Sequence, residues 1–275
     1  MTKVYREFSQ AELDAAYNNR AAEPRLETVK DDWSRRSEAV YASANVNRDL
    51  AYGSGRRQRL DFFHAKSRGR PTLAFIHGGY WQWNEKEPHA FIAEGMLSLD
   101  INVALIEYTL APEATMTDIV AEIGAAVGWL APRLAGELGA GKALVVSGHS
   151  AGGHLAAMAA GLPGVTAALP ISGLFDLEPI RLSYLNQPLV MNKDEAGANS
   201  PMTLPFPSVP MTVAVGAAEL TELVRQSRDY AAALKAAGRP VREAVTAGDN
   251  HFSILEQLAR ADGILAREAA RLALA

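Results

Sequence analysis

Gly148-His149-Ser150-Ala151-Gly152 is a G-x-S-x-G pentapeptide, and its setting says more than its five letters. The apolar run Leu144-Val145-Val146-Ser147 precedes it and an alanine-rich helical stretch, His154 to Ala160, follows. A sharp strand-to-helix turn forces its central residue into an unfavourable backbone conformation, and flanking glycines remove side chains that would clash there. The consequence is a serine hydroxyl presented at the top of a sheet, so Ser150 is the candidate nucleophile. A second motif, His77-Gly78-Gly79-Tyr80-Trp81, closes an earlier apolar run. A glycine pair leaves backbone N–H groups unobstructed, as stabilising a tetrahedral oxyanion requires. The expected donors are the amides of Gly79, Tyr80 and Ala151.

A serine hydroxyl needs a base, and the base needs an orienting carboxylate. On a sheet with this kind of elbow the chain order is serine, acid, histidine. Of the six histidines, at 64, 77, 89, 149, 154 and 251, only His251 lies downstream of a plausible acid. It sits in Gly248-Asp249-Asn250-His251-Phe252, after the last strand-like run. Glu219 directly follows the preceding run, Val213-Ala214-Val215-Gly216-Ala217-Ala218, and is assigned the acid role, with Glu222 as fallback. Asp249 is too close in sequence to His251 to reach its Nδ1 comfortably.

His149 and His154 flank the nucleophile, but no third ligand accompanies them, so packing and hydrogen bonding are expected there and neither metal nor cofactor. For the substrate pocket the sequence offers Gly78, Trp81, His149, Tyr184 and Phe206, with Tyr80, Trp83 and Phe175 as further aromatics.

These residues need a scaffold that brings strand ends together. Val46 to Tyr52 and Arg57 to His64, separated by Gly53-Ser54-Gly55, read as an antiparallel hairpin. After Pro71, apolar runs at 72–76, 102–108, 143–147, 167–171, 211–215 and 241–245 suit strands covered on both faces. Helical patterns at about 89–98, 116–137, 151–161, 220–237 and from Phe252 to the C-terminus alternate with them, which predicts a mostly parallel sheet with flanking helices. The first 45 or so residues read as a helical arm: Ser9-Gln10-Ala11-Glu12 is a capping box, and a second helix runs from Pro24 through Trp33 and Val40 to about Ala44. Residues 177–210 are proline-rich and without clear periodicity, a candidate lid. One domain over 1–275 is expected, with the arm and lid as additions.

The sequence resembles an α/β-hydrolase of the kynurenine formamidase (arylformamidase) branch and its esterase relatives. The resemblance rests on His77-Gly78-Gly79-Tyr80-Trp81, similar to that family's HGGxW motif, and on Gly148-His149-Ser150-Ala151-Gly152-Gly153-His154. It rests also on Glu219-Leu220-Thr221-Glu222-Leu223-Val224-Arg225-Gln226-Ser227, similar to an acid-x-x-E-F-x-R-Q-S stretch. It implies an eight-stranded sheet, a serine acyl-enzyme mechanism and no metal, with an N-formylkynurenine-type substrate or a short-acyl ester or carbamate. Animal members carry aspartate where Glu219 stands.

Composition narrows the field from the other side. Among 275 residues there is no cysteine, which excludes a disulfide scaffold, a thiolate metal site and a cysteine nucleophile. With 27 Lys+Arg against 31 Asp+Glu no basic field exists to attract nucleic acid. The nearest basic cluster, Gly55-Arg56-Arg57-Gln58-Arg59, reads as a turn and a solvated strand edge. No run approaches the roughly 18 apolar residues of a membrane span, and the charged N-terminus does not read as a signal peptide. A cytoplasmic protein acting on a small molecule with an aromatic or apolar leaving group is expected, with a homodimer left open.

Overall fold

A computed structural model describes residues 2–274; Met1 and Ala275, the last residue of the predicted C-terminal helix, lie outside the described residues. The apolar runs become eight strands: β1 (Val46–Ala51), β2 (Arg59–Phe63), β3 (Thr72–Ile76), β4 (Asn102–Ile106), β5 (Leu144–His149), β6 (Ala167–Ile171), β7 (Met211–Gly216) and β8 (Val241–Thr246). They form one sheet in the order β1-β2-β4-β3-β5-β6-β7-β8. The two pairings of β2 are antiparallel and the rest parallel. Every residue of β3 to β7 is buried, as helices on both faces demand. The 241–245 run departs from the expected apolar strand. Arg242 and Glu243 of β8 are exposed, because this strand is an edge, where charge discourages further pairing.

The arm carries α1 (Gln10–Ala16), α2 (Asn19–Ala22) and α3 (Leu26–Ser43). Glu12 accepts from the Ser9 amide at 2.9 Å, completing the expected start of α1. A 3-10 turn (Glu87–Ile92) leads into α4 (Ala93–Ser98); α5 (Met116–Arg133) stops earlier than the periodicity predicts, with Pro132 in its last turn; α6 is Ala151–Ala159. Residues 177–210 are not structureless but hold α7 (Glu178–Leu182), α8 (Asn186–Leu189) and α9 (Lys193–Ala198), each too short to show a 3.6-residue period. Ile180, Leu185, Leu189, Met191 and Ala196 of this segment are buried. The chain ends in α10 (Thr221–Ala236), α11 (Glu256–Ala259) and α12 (Ile264–Leu274).

Two apolar clusters flank the sheet. Side chains of α5, α6 and α10 build one; those of α3, α4, α11 and α12 build the other. The neighbouring strands β3 and β5 are therefore followed by helices on opposite faces. Between their carboxyl ends a crevice opens, the place where open α/β sheets bind ligands. His77-Gly78-Gly79 leaves β3 and Ser150 leaves β5 at that crevice.

Candidate active site

Ser150 has φ 57° and ψ −118°, a strained conformation for any residue with a side chain. Two hydrogen bonds hold the elbow: the Ser150 amide donates to Ile171 O at 2.8 Å, and Ser150 O accepts from the His154 amide at 3.0 Å. Glycine is required close by. A Cβ at Gly152 would overlap the carbonyl oxygen of Ile76, so only a bare backbone lets α6 start against the end of β3.

Glu219 and His251 are paired. His251 Nδ1–H donates to Glu219 Oε2 at 2.6 Å, and the Glu219 side chain is fully buried. Its other oxygen accepts from Ser172 Oγ at 2.6 Å and from the Gly216 amide at 2.7 Å. These bonds satisfy a buried carboxylate and fix its direction. Glu222 points elsewhere, paired with Arg225 through two 2.8 Å contacts and accepting from Tyr17 Oη at 3.3 Å. Asp249 accepts from Ser253 and Gln257 instead. Ser172, which sequence reasoning missed, sits one residue past β6, beside the strand that delivers the acid.

Ser150 and His251 line one cavity, with no hydrogen bond between their side chains among the described residues. Such contacts are often long in unliganded hydrolases and tighten when substrate arrives. His251 is pinned through its backbone: His149 Nε2–H donates to His251 O at 2.6 Å. Burial, then the neighbouring His251, push the His149 imidazole well below the ordinary histidine range, so it serves as a neutral donor. Asn250, next to the base, donates to Glu23 of the arm at 2.5 Å.

The candidate oxyanion loop is strained along its length. Gly79, Tyr80 and Trp81 all have positive φ, at 115°, 49° and 60°. Gly79 O accepts from the amides of Gln82 and Trp83 at 2.9 and 3.0 Å, and Gly78 O accepts from Asn84 Nδ2 at 3.1 Å. In a trans peptide the N–H points opposite to the carbonyl. Holding these two carbonyls therefore aims the amides of Gly79 and Tyr80 the other way. The Ser150 carbonyl, engaged by His154, does the same for the Ala151 amide. None of the three amides has an acceptor among the described residues.

The cavity measures about 540 Å³, within the usual range for a small-molecule site. Gly78, His149 and Tyr184 line it as expected. Trp81 and Phe206 do not. Trp81 is fully buried and donates from Nε1 to His154 Nδ1 at 3.2 Å, and Phe206 packs edge-on against Tyr230 at 5.9 Å. The Trp81 side chain turns into the core although its neighbours Gly79, Tyr80 and Trp83 line the cavity, and Phe206 packs against the same core away from the cavity. The arm supplies what the sequence reading did not foresee: Asn19, Leu26, Lys30 and Trp33 reach the same cavity. Asn19 Nδ2 also donates to Tyr80 Oη at 2.9 Å, tying the arm to the oxyanion loop.

The BD-FAE family model matches residues 60–173. Kynurenine formamidase of Salmo salar is 32% identical over 231 residues, covering 78% of this chain and 77% of that protein. The chain belongs to the kynurenine formamidase family. The Danio rerio member is 29% identical over 92% of this chain and 93% of its own length. A solved structure from Silicibacter sp., provisionally assigned as a thioesterase, superposes with a TM-score of 0.83 at 29% identity, covering 96% of this chain and 99% of that one. The fold is thus that of the α/β-hydrolases, and the chain is a hydrolase of the arylformamidase and esterase type. No helix among the described residues is long and apolar enough to cross a membrane.

Proposed function

We propose that this family member hydrolyses an aryl formamide of the N-formylkynurenine kind through an acyl-enzyme on Ser150. The reading is carried by the 2.6 Å Glu219–His251 bond at the edge of the cavity that holds Ser150 on its strained elbow. His251 Nε2 takes the Ser150 proton as Oγ attacks the formyl carbon, and the amides of Gly79, Tyr80 and Ala151 receive the negative oxygen. His251 then gives that proton to the leaving aryl amine as the C–N bond breaks. Water, deprotonated by His251, attacks the formyl ester; formate leaves and Ser150 regains its proton. Glu219 keeps the imidazole in the tautomer this needs.

A formyl group demands little room on the acyl side and an aromatic amine demands much on the other. The arm side of the cavity, with Trp33 and Leu26 joining Tyr80, Trp83 and Tyr184, offers apolar and aromatic surface for that ring. In this reading the arm roofs the leaving-group side, and residues 177–210 contribute one wall through Tyr184. An ester reading uses the same machinery, and the resemblance to the Silicibacter structure favours it. Turnover of N-formylkynurenine and of p-nitrophenyl acetate by the purified enzyme separates the two. Formamide cleavage at the higher kcat/KM is expected; ester cleavage with no detectable formamide cleavage overturns the first reading in favour of the second.

A further inference from the structure

Arg57 belongs to the basic cluster that the sequence marks as a solvated turn, yet its residue is only 9% exposed. Its guanidinium makes three hydrogen bonds. Nε–H donates to Tyr108 O at 2.8 Å, and Nη2–H donates to Asn84 O and to Glu107 Oε1, both at 2.7 Å. Glu107, just past β4 and fully buried, also accepts from His77 Nε2 at 2.9 Å, from the Tyr108 amide at 3.0 Å and from the Lys86 amide at 3.0 Å. His77 stacks on Tyr108 with centroids 4.5 Å apart. Its Nδ1 meets Gly78 O at 2.8 Å, so both ring nitrogens lie against oxygen acceptors. Burial pushes the Glu107 carboxyl up, but the hydrogen bond and charge of His77, and then the charge of Arg57, outweigh it and hold the group at about 2.

The two arms of this network converge on one atom. His77 Nδ1 and Asn84 Nδ2 both bond the Gly78 carbonyl, the group whose direction sets where the Gly79 amide points. Arg57 grips both arms: His77 through Glu107, and Asn84 through its backbone oxygen. We propose that Arg57 is a positioning residue for the oxyanion hole, acting through Glu107, His77 and Asn84 on the Gly78 carbonyl. The planar fork suits the task, because it holds donors on separate nitrogens at fixed positions, which the single nitrogen of an ammonium does not.

The proposal rests on Ser150 being the nucleophile and Gly79 an oxyanion donor. Its test compares Arg57→Lys, Asn84→Ala and the exposed neighbour Arg56→Lys with the wild type. Three readouts apply: kcat and KM on the preferred substrate, inhibition by an aryl trifluoromethyl ketone that forms a tetrahedral adduct, and labelling of Ser150 by a fluorophosphonate. Misaimed amides lose interactions made only in the transition state. Arg57→Lys and Asn84→Ala should each lower kcat by about 10- to 100-fold with KM within about threefold, and weaken the ketone by a matching factor. Arg56→Lys should leave all three unchanged. If Arg57→Lys does not fold, Asn84→Ala decides, since it removes one donor to the same carbonyl from the cavity wall. Wild-type kcat in folded, labelled variants overturns the network alone. A KM effect without a kcat effect also overturns it, since the residues would then bind substrate without shaping the hole. A wild type that takes no label at Ser150 overturns the triad reading and this proposal with it.

Discussion

The strand ends and the N-terminal arm meet in one cavity but reach it by different physics. Ser150, Glu219 and His251 stand past the carboxyl ends of β5, β7 and β8, the first two strands buried on both faces and the third an edge strand. The arm comes from outside the sheet. It is held by packing, with Trp33 stacked on Phe91 at 5.0 Å, and by many side-chain hydrogen bonds, among them Asn19 to Tyr80, Asn250 to Glu23, Tyr17 to Glu222, Tyr41 to Asp61, and Arg36 to Glu94 and Glu256. The candidate catalytic groups thus sit at strand ends, and the arm, tied down by its side chains, supplies further cavity surface. Changes at the strand ends should strike kcat, and changes in the arm should strike KM.

Ser150→Ala is the severest break: a folded protein with turnover reduced by about 10⁴-fold or more in a steady-state assay, as for loss of a nucleophile. Wild-type-like activity there removes the assignment. Glu219→Gln comes next, at about 10³- to 10⁴-fold in kcat, because the imidazole loses its orienting carboxylate. Glu222→Gln should stay within about threefold in kcat, since Glu222 braces Arg225 and the arm's Tyr17; the reverse ranking would transfer the acid role to Glu222. Trp33→Ala, on the arm side, should raise KM for an aryl substrate about tenfold while kcat holds within about threefold, losing part of an aromatic contact. An equal fall in kcat would mean that the arm also shapes the catalytic edge.

The smallest effect is one of stability. Burial depresses His154, behind the elbow, from 6.5 to about 4 in the folded state. Its neutral form is favoured by folding, so its contribution is complete above pH 6.5 and is lost as pH falls toward 4. This amounts to roughly 3 kcal/mol at most. Urea unfolding at pH 7.5 and 4.5 should show the loss, and His154→Gln should lessen the difference between the two, the depressed His89 and His149 supplying the remainder.

The strand ends were legible because their signals are local. G-x-S-x-G needs glycine where a Cβ would meet the Ile76 carbonyl, and chain order alone ranks His251 and Glu219. Arg57 was misread for the opposite reason. Its partners lie 27 to 51 positions away, at Asn84, Glu107 and Tyr108, and in the sequence it cannot be told from its exposed neighbour Arg56. Trp81 and Phe206 were offered to the pocket on residue type, which says nothing about which side of a loop faces the crevice.

By itself, then, the sequence determined the alternation of strands and helices and named the candidate nucleophile, base and acid, with no cysteine to compete with them. Those features depend on periodicity, backbone sterics and order along the chain. Only the tertiary structure decided which aromatics face the cavity, that the arm reaches it, and which distant side chains bond the Gly78 carbonyl. Each of those is a contact between residues far apart in the chain, and such contacts exist only once the sheet has brought its strand ends together.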